Sequence, residues 1–195
     1  MTAPLILASA SPSRAAMLRN AGIAIDAMPS GVDEDAIKQM LTGRPTPEIA
    51  MALAEAKAKV IAQQHPQALV IGADQILVCE GQLFDKPPDM EAAKAHLLAL
   101  QGRAHHLVTA ALVMQGDDVL WQHLNEPQLV MRSLDHAAID AYLAAAGDVV
   151  LTSVGAYQLE GRGAQLFESV DGDFFSILGL PLLPLLSFLR DRQTA

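Results

Sequence analysis

The sequence predicts an α/β fold with a mixed sheet, and three observations predict it. Apolar, strand-like runs alternate with helical patterns in the first half of the chain. A hairpin signal of antiparallel type sits in the middle. The 195 residues, 51% hydrophobic and 18% charged, are enough for one domain, or for two small lobes around one sheet. The whole chain, 1–195, is accordingly expected to form a single domain.

Each element follows from local pattern. Leu5 to Ala8 is a short apolar run suited to a buried strand, and Ser9 to Ser13 is a polar turn. Ser11 then Pro12 reads as an N-cap followed by proline at the first helical position, and Gly22 stops that helix. Ile23 to Met28 suggests a second strand, followed by a polar acidic turn holding Asp33, Glu34 and Asp35. Thr46-Pro47-Glu48 opens a long helix that runs to about Gln64, before Pro66. Ala68 to Cys79 reads as a buried strand, with a tight turn at Glu80-Gly81 into a short partner. Asp89 caps a helix through Leu100 that Gly102 ends. Leu107–Met114 and Val119–Arg132 form the arms of a hairpin around Gln115 to Asp118. Asp135 caps a helix ending at Gly147, a glycine-rich segment from Gly155 to Gly163 leads into Ala164 to Val170, and a last helix covers Pro181 to Arg192.

Composition excludes several classes. The net charge of -9, with no Lys/Arg cluster, argues against nucleic acid as a partner. An acidic protein that holds an anionic ligand needs a local cation or a metal ion. The single cysteine, Cys79, rules out an internal disulfide and reads as a small core residue. The apolar stretch Ile177 to Leu189 is broken by Pro181 and Pro184, so no membrane span is expected. The N-terminal Met1-Thr-Ala-Pro lacks a basic leader, and a cytoplasmic location is expected.

Two patterns point to chemistry. In Ser9-Ala-Ser-Pro-Ser-Arg14, a polar loop between a strand and a helix start directs N–H groups and the helix dipole at one place. Ser9, Ser11 and Ser13 add hydroxyls, and Arg14 adds a planar cation suited to phosphate oxygens. An ordinary helix cap with a surface arginine would have the same pattern. Asp74 stands within the apolar run from Ala68 to Cys79, where an ionised carboxylate is costly unless compensated. Metal binding or general-base work would explain it, as would a structural aspartate satisfied by a loop. Gly72, just before it in the run, permits close backbone approach or a bulge. Lys86, before Pro87, has a restricted backbone, yet as a residue type it is also an ordinary turn lysine, and Lys57 between Glu55 and Lys59 is an ordinary helix lysine. The six histidines show no metal-ligand spacing, and His105 and His106 would point to opposite faces of a strand.

In order, the stretches Leu-Ala-Ser-Ala-Ser-Pro-Ser-Arg14, Val-Asp-Glu34, Leu-Ala-Glu-Ala-Lys-Ala58, Ile-Gly-Ala-Asp-Gln75, Asp-Lys-Pro87, Gly-Ala-Tyr157, Glu-Gly-Arg-Gly-Ala164, Val-Asp-Gly172 and Gly-Leu-Pro181 resemble the Maf family of nucleotide pyrophosphatases. The resemblance covers Leu5 to about Leu189 and implies the inosine-triphosphate-pyrophosphatase-like fold: a mixed twisted central sheet flanked by helices, with a cleft between two lobes. It implies hydrolysis of a nucleoside triphosphate at the α-phosphate with Mg²⁺ or Mn²⁺, and a homodimer. Carried over by position, Asp74 would be proton acceptor and metal-side carboxylate, with Glu34 the second acidic group. Ser9, Ser11 and Arg14 would hold phosphates, with Lys57 and Lys86 neutralising charge.

Departures from the family pattern bear on specificity. The family usually carries two arginines after the proline, and here Ser13 takes the first place. Gln75 and Glu160 are similar to the branch acting on 7-methyl-GTP, where the pyrimidine branch has Thr and Gln. A carboxylate at Glu160 can accept two hydrogen bonds from a guanine edge. Gly-Ala-Tyr157 and Gly-Arg-Gly163 resemble the other branch, so the preferred base stays open between the two.

Overall fold

The structure, a computed structural model, describes residues 3–193. Met1 and Thr2 at the expected leaderless N-terminus lie outside the described residues. The chain divides into two compact units, one of residues 1–75, 109–125 and 179–195, the other of residues 76–108 and 126–178.

In the first unit, β1 (Leu5–Leu7) lies between β2 (Asp26–Ala27) and β3 (Leu69–Cys79), parallel to both, with Leu5 opposite Leu69 and Leu7 opposite Ile71. Next to β3 comes β5 (Ala104–Gln115), and then β6 (Asp118–Asn125) in an antiparallel hairpin with a bulge at Val113/Met114. Parallel and antiparallel pairs thus share a mixed sheet, as the pattern predicts. Helix α1 (Pro12–Asn20) starts at the Ser11 cap, whose hydroxyl accepts from the Arg14 amide. Helix α3 (Thr46–Gln64) buries Ile49, Ala50, Leu53, Ala54, Lys57, Ala58, Ile61 and Ala62, a stripe at helical spacing. Helix α7 (Leu182–Gln193) completes the unit.

Gly72 sets how closely α3 approaches β3. A Cβ at Gly72 would lie 2.2 Å from the Ala54 carbonyl oxygen and 2.8 Å from the Ala58 Cβ. Only a residue without a side chain fits, and small residues on the helix face are needed in return.

The expected acidic turn at Asp33–Asp35 is instead a helix start. Asp33 caps α2 (Glu34–Met40), accepting from the Ala36 amide at 3.0 Å. None of its residues is fully buried, so α2 carries no apolar stripe for pattern to detect. Its cap and its acidic first turn favour it. The strand expected over Ile23 to Met28 contracts to Asp26–Ala27.

In the second unit the order is β4 (Gln82–Phe84), β3, β5, β7 (Gln128–Met131) and β8 (Phe167–Asp171). Glu80 and Gly81, at φ 50° and 82°, form the tight turn from β3 to β4. The arm expected over Val119–Arg132 is two strands: β6 pairs with the 109–115 part of β5, and β7 pairs with Ala104 to His106. Pro127 divides them, because it has no N–H to continue the ladder. Helices α4 (Met90–Leu100) and α5 (His136–Ala146) start at Asp89 and Asp135, each accepting at 2.8 Å from the third amide on. The glycine-rich segment forms short 3-10 turns at Val154–Ala156 and Arg162–Leu166, and a four-residue helix α6 (Phe174–Ile177) follows β8. The core here includes Leu77, Leu97, Leu107, Leu129, Met131, Ile139, Tyr157 and Leu166, with Cys79 among them as expected. His105 is buried, 2.8 Å from the Tyr157 hydroxyl, while His106 meets Gln128. Burial pushes the His105 imidazole down to about 4.

Two outcomes are expected. Gly72→Ala destabilises the protein by about 3 kcal/mol or more in urea unfolding, because the Cβ meets backbone that cannot yield. A cost below 1 kcal/mol would show that α3 can retreat from β3. For His105, the unfolded chain binds a proton near the ordinary 6.5 and the folded chain only near 4, so stability falls as pH drops through that window. Taking wild type from pH 7 to pH 5 costs about 2 kcal/mol more than it costs His105→Gln, read from paired unfolding curves.

Candidate active site

The first unit gathers the functional candidates at the loop after β1, the start of α2, the middle of α3 and the centre of β3. Lys57 is three residues beyond Ala54 on α3, and Asp74 two beyond Gly72 on β3, so the close approach at Gly72 brings these two side chains together. Lys57 Nζ donates to Asp74 Oδ1 at 2.6 Å. Lys57 is 7% exposed and Asp74 5%, so each answers for the other's burial. The same Nζ lies 2.9 Å from Glu34 Oε1, whose half-exposed side chain comes from the first residue of α2. A single buried ammonium thus bridges two carboxylates from different elements.

The loop from Ser9 to Arg14 is held by its own groups. The Ser9 hydroxyl accepts from the Ser11 amide at 3.1 Å, and Ser11 Oγ from the Arg14 amide at 3.4 Å. Arg14 folds back over this loop. Its Nη1 donates to the Ala73 carbonyl at 2.9 Å and lies 3.4 Å from Ser9 Oγ, and its Nε donates to the Gly179 carbonyl at 2.7 Å. Burial pushes the Arg14 guanidinium down from its ordinary value, and the charges of Asp74 and Glu34 push it back up. Ser13 is half-buried on α1. Gln75, next to Asp74, donates from Nε2 to Thr109 Oγ1 at 2.9 Å.

Lys86 and Glu160 belong to the second unit. Lys86 is exposed in the segment after β4, and Glu160 is exposed between the 3-10 turns. Burial pushes the Tyr142 hydroxyl up to about 12, and Glu160's charge adds to that push.

Three participants escaped the sequence reading. Thr109 is fully buried, and it carries the signal that marked Asp74, a single polar residue inside an apolar run, here Leu107 to Met114. The Ala73 and Gly179 carbonyls are backbone groups and leave no mark in residue type.

Two carboxylate oxygens converging within 3 Å of one cation position form a hard-oxygen donor set. No cluster of three or more His, Cys, Asp or Glu suited to a metal occurs among the described residues. The Lys57 ammonium takes the place between these two oxygens, and two carboxylates are a donor set that a hard divalent ion can use when water and phosphate oxygens complete its shell.

Fold and site define an α/β protein with a serine-rich strand-to-helix loop beside a lysine-bridged carboxylate pair. The chain belongs to the Maf-like protein family, whose model matches residues 4–192. It is 52% identical over 191 residues, 97% of each chain, to a nucleoside triphosphate pyrophosphatase of Granulibacter bethesdensis. It is 50% identical over 192 residues to a 7-methyl-GTP pyrophosphatase of Mesorhizobium japonicum, covering 97% of this chain and 96% of the relative. A nucleoside triphosphate pyrophosphatase of Hyphomonas neptunium is 47% identical over 195 residues, 99% and 98% of the two chains. No helix among the described residues is long and apolar enough to cross a membrane.

Removing one member of a buried ion pair leaves the other uncompensated. Lys57→Met is expected to lose about 3 kcal/mol or more in chemical unfolding, and adding Asp74→Asn should restore part of it. Equal stability of Lys57→Met and wild type would mean that the pair is solvated.

Proposed function

We propose that the chain hydrolyses nucleoside triphosphates to the monophosphate and pyrophosphate, with Asp74 as the base that takes the proton of the attacking water. The observation that carries this reading is the Lys57 ammonium held between Asp74 and Glu34 in the same unit as the Ser9–Arg14 loop. Attack on a polyanion requires charge neutralisation and a positioned base more than covalent chemistry.

In this proposal Ser9, Ser11 and Ser13 offer hydroxyls to the phosphates, and the Arg14, Lys57 and Lys86 cations offset their charge. In the first unit Arg14 and Lys57, together with the divalent ion that Asp74 and Glu34 would hold, are proposed to supply the local positive charge that a chain of net charge -9 needs to hold a triphosphate. Asp74 and Glu34 would hold a Mg²⁺ or Mn²⁺ ion, which supplies Lewis acidity toward phosphate oxygens and an activated water when bound. Lys57 keeps the two carboxylates at one place, so that the base is positioned before substrate arrives. Gln75 and Glu160 are proposed as the base readers. They support 7-methyl-GTP over dTTP or UTP as the preferred substrate, in keeping with the relatives of Mesorhizobium japonicum and Rhizobium meliloti, each 50% identical and named 7-methyl-GTP pyrophosphatase. We further propose that residues 1–195 work as one catalytic domain, in the cytoplasm and as a homodimer.

A product assay over 7-methyl-GTP, UTP and dTTP, with Mg²⁺ or Mn²⁺, tests the reading. Pyrophosphate and monophosphate are expected, most rapidly from 7-methyl-GTP, and Asp74→Asn is expected to fold and lose at least about 100-fold in kcat. Orthophosphate as the product would make the chain a phosphatase. Nucleotide binding without turnover would make it a regulatory module.

A further inference from the structure

We infer that Arg14 is a positioning residue that acts through Asp74: the hydrogen bonds of its Nε and Nη1 clamp the peptide that carries the base, while its charge stays available to the substrate's phosphates. The inference rests on the reading of Asp74 as the base.

A guanidinium has five N–H groups in a rigid fork. The Arg14 fork spends its Nε on Gly179 and its Nη1 on Ala73 and Ser9. All three partners are oxygens of the protein. The Ala73 carbonyl belongs to the peptide bond that joins Ala73 to Asp74. Holding that oxygen fixes the peptide plane from which Asp74 projects, and so fixes where its carboxylate stands. Lys57 holds the same side chain at its far end, 2.6 Å from Oδ1. The base is therefore fixed twice, at its backbone by Arg14 and at its carboxylate by Lys57.

The other two contacts tie this peptide to the rest of the site. Ser9 Oγ receives both the Ser11 amide and the approach of Nη1, so the hydroxyl of the loop is oriented by the same fork that orients Asp74. Gly179 has φ 100°, and a Cβ there would lie 3.2 Å from Arg14 Nε. A glycine at that position satisfies the backbone geometry and leaves room for the guanidinium to reach the carbonyl. Lysine would keep the positive charge but has no planar fork with which to hold three acceptors. The two roles open to Arg14 therefore separate cleanly. Lysine keeps the charge that attracts phosphate and loses the fork that holds the Ala73 carbonyl, so a clamp on the base shows as lost turnover with KM held, whereas a direct phosphate contact of the fork shows in KM.

The test is Arg14→Lys, alone and combined with Asp74→Asn, assayed on the best triphosphate of the panel after circular dichroism has confirmed folding. Alone, Arg14→Lys is expected to lower kcat roughly 10- to 100-fold, the cost of a misplaced base. KM, and Kd for the α,β-methylene analogue of that triphosphate, should stay within about twofold. In the Asp74→Asn background, Arg14→Lys should change the residual kcat by less than about twofold, because the group it acts through is gone. A rise in KM with kcat retained, or losses that multiply in the double variant, would overturn the clamp. Should Arg14→Lys not fold, Gly179→Ala carries the test: a loss in kcat alone supports the clamp, and wild-type kinetics or a change confined to KM overturns it. A wild type that releases no pyrophosphate overturns the hydrolase reading and the clamp together. An active wild type with multiplying losses overturns the clamp alone.

Discussion

The ion pair between Lys57 and Asp74 is the constraint from which the rest of the first unit follows. An ammonium and a carboxylate this deeply buried are stable only in each other's company. Their meeting needs α3 and β3 closer than side chains normally permit, which requires glycine at position 72 facing Ala54 and Ala58. The alanine-rich stripe of α3 is thus more than a helix-forming composition. It is the surface that lets a long lysine side chain lie along a strand and end at a carboxylate. Glu34 then joins from α2, whose cap at Asp33 brings an acidic first turn to the ammonium. A buried pair of this kind adds little net stability, and its effect here is to fix the place of a charge.

The serine-rich loop reflects the same economy. The Ser9 and Ser11 hydroxyls accept from the loop's own amides, which holds its shape. A site that is already ordered loses little conformational freedom on binding and undergoes little rearrangement during reaction. Gln75 is prepared in the same way by the buried hydroxyl of Thr109.

What the sequence disclosed follows from how each feature is encoded. Strong punctuation placed α3, α4 and α5 nearly to the residue, because a cap and a helical start leave residue-type marks at fixed spacing. Helix α2 was missed because its residues face water and leave no apolar period. The division between β6 and β7 was missed because the apolar pattern runs on past Pro127 and only the missing N–H ends the ladder. Asp74 was legible as a charge out of place, and Gly72 as a point of close approach. Lys57 was not, for its composition is that of any helix lysine, and it entered only through resemblance to a family. The partners of Arg14 were beyond reach, since two of them are carbonyl oxygens that every residue possesses.

The bond from Arg14 to Gly179 spans 165 residues of chain. Contacts of such separation form late, since the entropy of closing the intervening loop is lost before the bond returns anything. During synthesis from the N-terminus, the first strand and its loop leave the ribosome long before residue 179 exists. The latch on the loop is then one of the last to close, and an incomplete chain holds its serines and its aspartate without the tie that joins them. The tie between loop and base is thus open to the chain only once residue 179 has been made.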